Sequence, residues 1–311
     1  MTRRLLSALA VTFALSGCGD GSPRSYAGTF DPLAFAPKPS SSAQPFSRLA
    51  VTEYSGAVKI FNSSYQLTST ITQGLVHPLD DTYDSKGNLY VGNCVSGSCD
   101  EGQGPDVVGV NEYNPSGKEI YSYSHGLVIP GGIAVDKDGD VFVADGGLTY
   151  LSSIFEYKQQ HQAPIAKCFT GLYNGGLHVD DAGNVFVAGD SSLRGGGYLR
   201  EYVHGLPGCT PRVPRITLAN AGGLTVDREH NIVVCDDLVG VDIIPPPYNS
   251  IKSTIDLMSQ SDNVALDRAN DLIFVVNEIG GQLLVATYPQ GGLVRDLSKQ
   301  VSEPLSVATY P

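Results

Sequence analysis

Between residues 78 and 277 the hydrophobic and polar positions recur as one phrase. A short apolar run ends in Asp, a polar turn follows, and a second apolar run ends in an acid, an amide or glycine. The first copy spans Pro78–Asn93, where Pro78 and Leu79 lead into DDTYDSKGNLYVGN. The others are PGGIAVDKDGDVFVAD (Pro130–Asp145), NGGLHVDDAGNVFVAG (Asn174–Gly189), AGGLTVDREHNIVVCD (Ala221–Asp236) and SDNVALDRANDLIFVVN (Ser261–Asn277). The Asp that closes the first run is Asp84, Asp136, Asp180, Asp227 and Asp267, a repeat of roughly 40 to 52 residues, in the range of propeller blades. Each phrase predicts a hairpin of two strands. The uninterrupted apolar character of VFVA and IFVV predicts strands buried on both faces rather than half-exposed ones.

A third apolar and aromatic run follows in every unit: Val58–Phe61, Val107–Tyr113, Ile154–Tyr157, Leu199–Tyr202, Val241–Ile244 and Leu283–Tyr288. A looser fourth run leads back to the next unit. PLSVATYP at the C-terminal end matches the first half of the phrase as it stands at Pro78–Asp84, and SRLAVTEYSGAVKIF (Ser47–Phe61) matches the second half and the strand after it. The two ends therefore supply one further unit between them. The expectation is an all-β, six-bladed β-propeller of four-stranded blades, closed by a blade shared between the N- and C-terminal segments.

The hairpin turn carries its own chemistry. Gly87, Gly139 and Gly183 share one position with His230 and Asn270, all residue types that tolerate positive φ. The marker Asp is expected to accept hydrogen bonds from the turn backbone, which is a folding role.

The unit resembles the NHL-repeat family of β-propellers, whose pattern is close to PxGIAVDxxGNVYVAD. The resemblance covers about residues 47–311 and implies the fold. It leaves the chemistry open, because such propellers include binding modules, scaffolds and enzymes. Gluconolactonase and senescence-marker propellers, which share the architecture, hold a divalent cation in the central channel through oxygen ligands of the kind Ca²⁺ requires. Several corresponding positions here are Gly131, Gly175 and Gly222; Asp80, Asp81, Asp262, Asn263 and Glu303 are the remaining candidate metal ligands. The Trp-Phe-Thr motif of streptogramin lyase propellers has no counterpart, since the chain has no Trp.

The residues that end the second strands are expected to ring one mouth of the channel: Glu53, Asn93, Asp145, Asp190 beside Gly189, Asp236 with Asp237, and Asn277 with Glu278. His77, just before the first strand of its unit, belongs to the same mouth, whereas His178 is expected to pack between blades. The ring residues serve as loop caps or as ligand contacts, and an acidic mouth favours cations or basic ligands. Two long loops, Asn93–Asp106 and Gly189–Gly197, rise from the same face. No Gly-x-Ser-x-Gly elbow is present and no catalytic residue is assigned.

The first residues add a location. Arg3 and Arg4, the apolar run Leu5–Leu15 and the sequence LSGC (Leu15–Cys18) resemble a bacterial lipoprotein signal, in which Cys18 becomes the lipidated first residue. Residues 1–17 are then a signal peptide, residues 18–46 a Gly-, Ser- and Pro-rich tether, and residues 47–311 the propeller. This places the protein outside the cytoplasm on a bacterial membrane. Cysteine usage agrees with export: Cys94 with Cys99 and Cys168 with Cys209 are expected disulfides, leaving Cys235 as a buried thiol. The formal net charge of −12 excludes a nucleic-acid footprint. The functional expectation is a binding or interaction module for a protein or small molecule, with a divalent-cation-dependent lactonase or related hydrolase at the channel mouth as the alternative.

Overall fold

The computed structural model describes residues 46–94, 108–146, 152–171, 173–190, 196–237, 239–258 and 260–311. These residues form six antiparallel sheets arranged as a β-propeller. Blade 1 contains β1 (Arg48–Glu53), β2 (Ala57–Asn62) and β3 (Leu67–Ile71). Blade 2 runs outward through β4 (His77–Tyr83), β5 (Leu89–Cys94), β6 (Val108–Tyr113) and β7 (Glu119–Tyr123), and blade 3 through β8 (Pro130–Val135), β9 (Val141–Asp145), β10 (Ser153–Tyr157) and β11 (Pro164–Phe169). Blade 4 has β12 (Tyr173–Val179), β13 (Val185–Asp190) and β14 (Gly197–Tyr202). Its outer run is not a continuous ladder among the described residues. It is tied to β14 by a bridge between Glu201 and Arg212, whose guanidinium also meets the Glu201 carboxylate at 2.8 Å. Blade 5 comprises β15 (Ala221–Val226), β16 (Ile232–Asp236), β17 (Gly240–Ile244) and β18 (Ser253–Ile255). Blade 6 comprises β19 (Asn263–Leu266), β20 (Leu272–Asn277), β21 (Gln282–Thr287) and β22 (Leu293–Asp296).

The last strand, β23 (Pro304–Tyr310), pairs antiparallel with β1 from Arg48↔Tyr310 to Glu53↔Pro304 and becomes the innermost strand of blade 1. The expected shared blade is therefore present. Arg48 reinforces it: its guanidinium lies over the rings of Tyr83 and Tyr310, 5.3 and 4.6 Å from their centroids, and donates to the Gly87 carbonyl at 3.1 Å. The body begins slightly earlier than the composition suggests. Phe46, assigned to the tether by sequence, is fully buried and meets Phe274 edge-on at 5.3 Å. A ring that fills a gap between blades outweighs the polar company it keeps in the chain.

The hydrophobic core is divided among the blade interfaces. One cluster joins Val51 and Phe61 of blade 1 to Phe274 and Val285 of blade 6, and another joins Phe186 and Leu199 of blade 4 to Val234 and Ile244 of blade 5. Both faces of most inner strands are consequently dry, as the continuous apolar runs predict. The hairpins also match expectation. The Oδ1 of Asp84 accepts from the backbone N–H of Lys86 and Asn88 at 2.9 and 2.8 Å, and Asp136, Asp180 and Asp227 repeat this arrangement. Gly87, Gly139 and Gly183 have φ of 80°, 88° and 79°, and His230 and Asn270 have 64° and 57°.

Cys168 on β11 and Cys209 after β14 are joined by a disulfide that links blades 3 and 4. Cys94 is also disulfide-bonded, while its expected partner Cys99 lies outside the described residues. Cys235 is a free, buried thiol, pushed up to about 12 by burial. Cys18, the signal peptide and the tether up to residue 45 lie outside the described residues. Among the described residues no helix is long and apolar enough to cross a membrane.

Candidate functional site

The inner strands bring two sets of chemistry-bearing residues to different depths of the channel. At the face where the inner strands begin, Glu53, Asn93, Asp145, Asp236 and Asn277 each hold a backbone N–H of a neighbouring loop or turn. Asn93 is buried; its Oδ1 accepts from the N–H of Val76 and His77 at 2.9 and 3.2 Å, and its amide donates to the Gly74 carbonyl. Asp145 Oδ1 accepts from Val128 and Ile129 at 2.8 and 2.6 Å, and Asp236 accepts from Ala219 and Asn220 at 3.0 and 2.7 Å. Glu53 accepts from the Ser302 N–H at 2.6 Å and pairs with Lys59 at 2.8 Å. In each case the acid or amide at the end of a second strand fixes the loop that enters an inner strand. Asp145 gains two hydrogen bonds in this way, yet burial still pushes its carboxyl up to about 6.

Blade 6 divides the task. Asn277 caps its own turn through Gly280 N–H at 2.8 Å, and Asp262 accepts from the Glu278 N–H at 2.6 Å. Burial and like charges raise the carboxyls of Asp262 and Glu278, the former beside Asp237 and the latter beside Asp262 and Glu303. Asp237, Glu278 and Asp190 are half-buried and Glu303 is exposed. The mouth is thus acidic where it is open. It is also apolar: Ile279 (79% exposed), Val239 (43%), Val76 (39%) and Val128 (37%) all belong to the loops of this face. His77 stacks on Tyr54 with centroids 4.7 Å apart, and its Nδ1 lies 3.3 Å from the Tyr54 carbonyl.

Deeper in the channel, the lower halves of all six inner strands enclose a cavity of about 260 Å³. Its wall includes Thr82, Ala134, His178, Thr225, Ala265 and Ala308, one equivalent residue from each blade. His178 lines this cavity on the strand face that meets blade 5; burial depresses its imidazole to about 4, so it is neutral at pH 7. Alignment of the repeats places it in a column of small residues, and only the ring closure brings that column to the cavity.

Two residues earlier in each strand lies a second column: Asp80, Gly132, Gly176, Gly223, Asn263 and Ser306. Asp80 reaches the next blade by accepting from the Ile133 N–H at 2.7 Å, and accepts from Asn263 Nδ2 and Ser306 Oγ at 3.0 and 2.6 Å. Ser306 in turn accepts from the Asp81 N–H at 3.3 Å. Of the candidate metal ligands, the fold brings together Asp80, Asp81 and Asn263, and leaves Asp262 and Glu303 at the mouth. Burial pushes the Asp80 carboxyl up to about 6 despite its hydrogen bonds. Among the described residues no group of three or more His, Cys, Asp or Glu is placed to hold a metal ion. Ser306 and Thr52, which complete this cluster, do not stand out in the sequence. Aligning PLSVATYP with the other inner strands is the signal that finds Ser306.

No family model and no curated protein matches the chain. Solved structures do. A chain in the crystal structure of a nidogen/laminin complex is similar over 84% of this chain and 97% of its own length, with a TM-score of 0.65 and 14% identity. A protein of unknown function from Bacteroides caccae is similar over 85% of this chain and 99% of its own, with a TM-score of 0.59 and 12% identity. At these identities the likeness establishes the fold, a β-propeller.

Proposed function

We propose that the protein is a binding module that uses the mouth of the propeller, where the inner strands begin, to hold a protein or peptide ligand bearing both basic and apolar groups. One observation carries this reading. The buried carboxylates and amides of the ring are committed to backbone N–H groups, while the side chains left open around them are the apolar Ile279, Val239, Val76 and Val128, the half-buried acid Glu278 and the exposed acid Glu303. Apolar side chains beside unneutralised acids suit a ligand of opposite charge with an aliphatic or aromatic anchor. The nidogen/laminin complex supports a propeller in an assembly and lends nothing about the ligand.

The finer reading is an NHL-type propeller, exported and lipid-anchored through Cys18, with the mouth presented to the periplasm or cell exterior. A disulfide between blades fits an oxidising compartment.

The test is binding of a peptide array to the purified chain, followed by the same measurement on Ile279→Glu and Val239→Glu. Peptides with Lys or Arg flanking an apolar residue should bind with an affinity that falls as salt is raised, and both variants should lose it. Equal binding by wild type and variants removes the mouth as the recognition face. Turnover of a lactone panel in the presence of Ca²⁺ would instead favour the cation-dependent hydrolase.

A further inference from the structure

The wall between blades 1 and 2 contains an acid where the fold elsewhere uses hydrocarbon. Asp81 occupies the position that is Ile133, Leu177, Leu224, Val264 and Val307 in the other inner strands, each a member of an interface cluster. Asp81 is 5% exposed and neither carboxylate oxygen has a hydrogen-bond partner within 3.5 Å; the Thr52 and Ser306 hydroxyls are the donors that act on it from farther off. Beside it, the Oγ1 of Thr52 is fully buried and equally unpartnered. Thr52 lies opposite Ser306 in the β1–β23 ladder, and both hydroxyls are close enough to act on the Asp81 carboxyl. The Ser306 proton is already directed to Asp80 at 2.6 Å.

Oxygen atoms from two carboxylates and two hydroxyls therefore converge at the edge of the channel cavity with too few donors. Among the described residues no basic side chain compensates. The charged group acting on Asp81 from its own strand is Asp80, a like charge; Tyr83 feels Asp81 in turn, and Arg48 on β1 is engaged with Tyr83, Tyr310 and Gly87. Burial and Asp80 together push the Asp81 carboxyl up to about 7. A buried unsatisfied group in a folded protein calls for a counterpart, and an all-oxygen donor set of this charge suits a hard cation.

We propose that a divalent hard cation, of the calcium or magnesium class, is held in the wall between blades 1 and 2 by Asp81 with Thr52 and Ser306, its charge balanced by Asp80. The ligands belong to β4, β1 and β23, so the ion joins the first inner strand to both ends of the propeller. It is a closure site, separate from the mouth, and does not depend on the ligand-binding reading.

The test is thermal unfolding of the purified chain after treatment with chelator, then with CaCl₂ or MgCl₂ added against KCl at matched ionic strength. At saturation the divalent ion should raise the midpoint by about 5 °C, and mass spectrometry of the metal content should find one ion per chain. Asp81→Asn should abolish the response. Asp81→Leu restores the side-chain class of the other blades and should fold with a midpoint indifferent to divalent ions, while Asp262→Asn at the mouth should respond as wild type does. The proposal is overturned if the wild type ignores both ions, or if Asp81→Leu responds as the wild type does. A midpoint that ignores cations but falls as pH is raised from 5 to 8 would show that a proton, not an ion, occupies the site.

Discussion

The two halves of the innermost ring solve one geometric problem with different chemistry. In blades 3, 4 and 5 the column residue is Gly132, Gly176 or Gly223, and an added Cβ would lie 2.8, 2.6 or 2.7 Å from the backbone of the next blade. There the inner strands meet by direct backbone approach, which only a residue without a side chain permits. In blades 6, 1 and 2 the same column holds Asn263, Ser306 and Asp80, and the strands are joined by the hydrogen bonds those side chains make. The glycine half is closed by contact and carries no charge. The polar half contains both chain ends and is closed by a buried hydrogen-bond network. A repeat can therefore keep its backbone while its inner surface becomes chemically asymmetric.

The largest expected effect breaks the polar half outright. Deleting Pro304–Pro311 removes β23, exposes the edge of β1 and strips Ser306 from Asp80; cooperative unfolding in urea should disappear. A truncated chain with an unchanged midpoint would refute the shared blade. On the glycine side, Gly176→Val must push against the Gly222 carbonyl and the Leu224 N–H, 2.6 and 2.7 Å from the Cβ, and should cost about 4 kcal/mol in urea unfolding. Gly183→Ala, at a turn with φ of 79° and nothing within 4 Å, is its control and should cost about 1 kcal/mol.

Removing the Cys168–Cys209 bond, which closes a separation of 41 residues between blades 3 and 4, should cost about 3 kcal/mol in the Cys168→Ala, Cys209→Ala double variant. Mass mapping should find that link in the untreated protein. Asp80→Ala leaves the Ile133 N–H and the Asn263 amide without their acceptor and should cost about 2 kcal/mol, distinguishing a network that joins blades from one that merely fills space.

The remaining effect concerns His178 and shows only in the pH dependence of stability. Folded, it stays neutral down to about pH 4, whereas the unfolded imidazole titrates near 6.5, so unfolding takes up a proton between those values. Its contribution is complete above pH 6.5 and is lost as pH falls toward 4. His178→Thr, which copies Thr225 of blade 5, should flatten this part of the stability profile by about 1–2 kcal/mol, allowing for its partial exposure. An unchanged profile would mean that the ring is solvated in the channel.

Much of this architecture was legible because its signals are local. The marker Asp and the turn residue three positions later act within one hairpin, so Asp84 with Gly87 or Asp227 with His230 could be read from spacing alone. Cys168 and Cys209 were legible as a pair because successive blades must be neighbours. For Glu53, Asn93, Asp145 and Asp236 the sequence favoured loop capping over ligand contact, and the N–H groups of Ser302, Val76, Ile129 and Asn220 directed at them bear that out; which loop each one holds depends on the fold. Phe46 was missed because its partners, Phe274 and Tyr65, come from different blades.

The sequence by itself determined the blade: strand number, turn chemistry, the apolar faces between neighbours, and the fact that the two ends had to share a sheet. These follow from short-range periodicity and from the requirement that no inner strand be left unpaired. Only the tertiary structure decided what faces the axis. Asp80, Asn263 and Ser306 are separated by up to 226 residues yet share one network, and Asp81 meets Thr52 and Ser306 only across the closure. Ring closure sets those distances, and a pattern repeated along one chain carries no record of which blade ends up beside which gap.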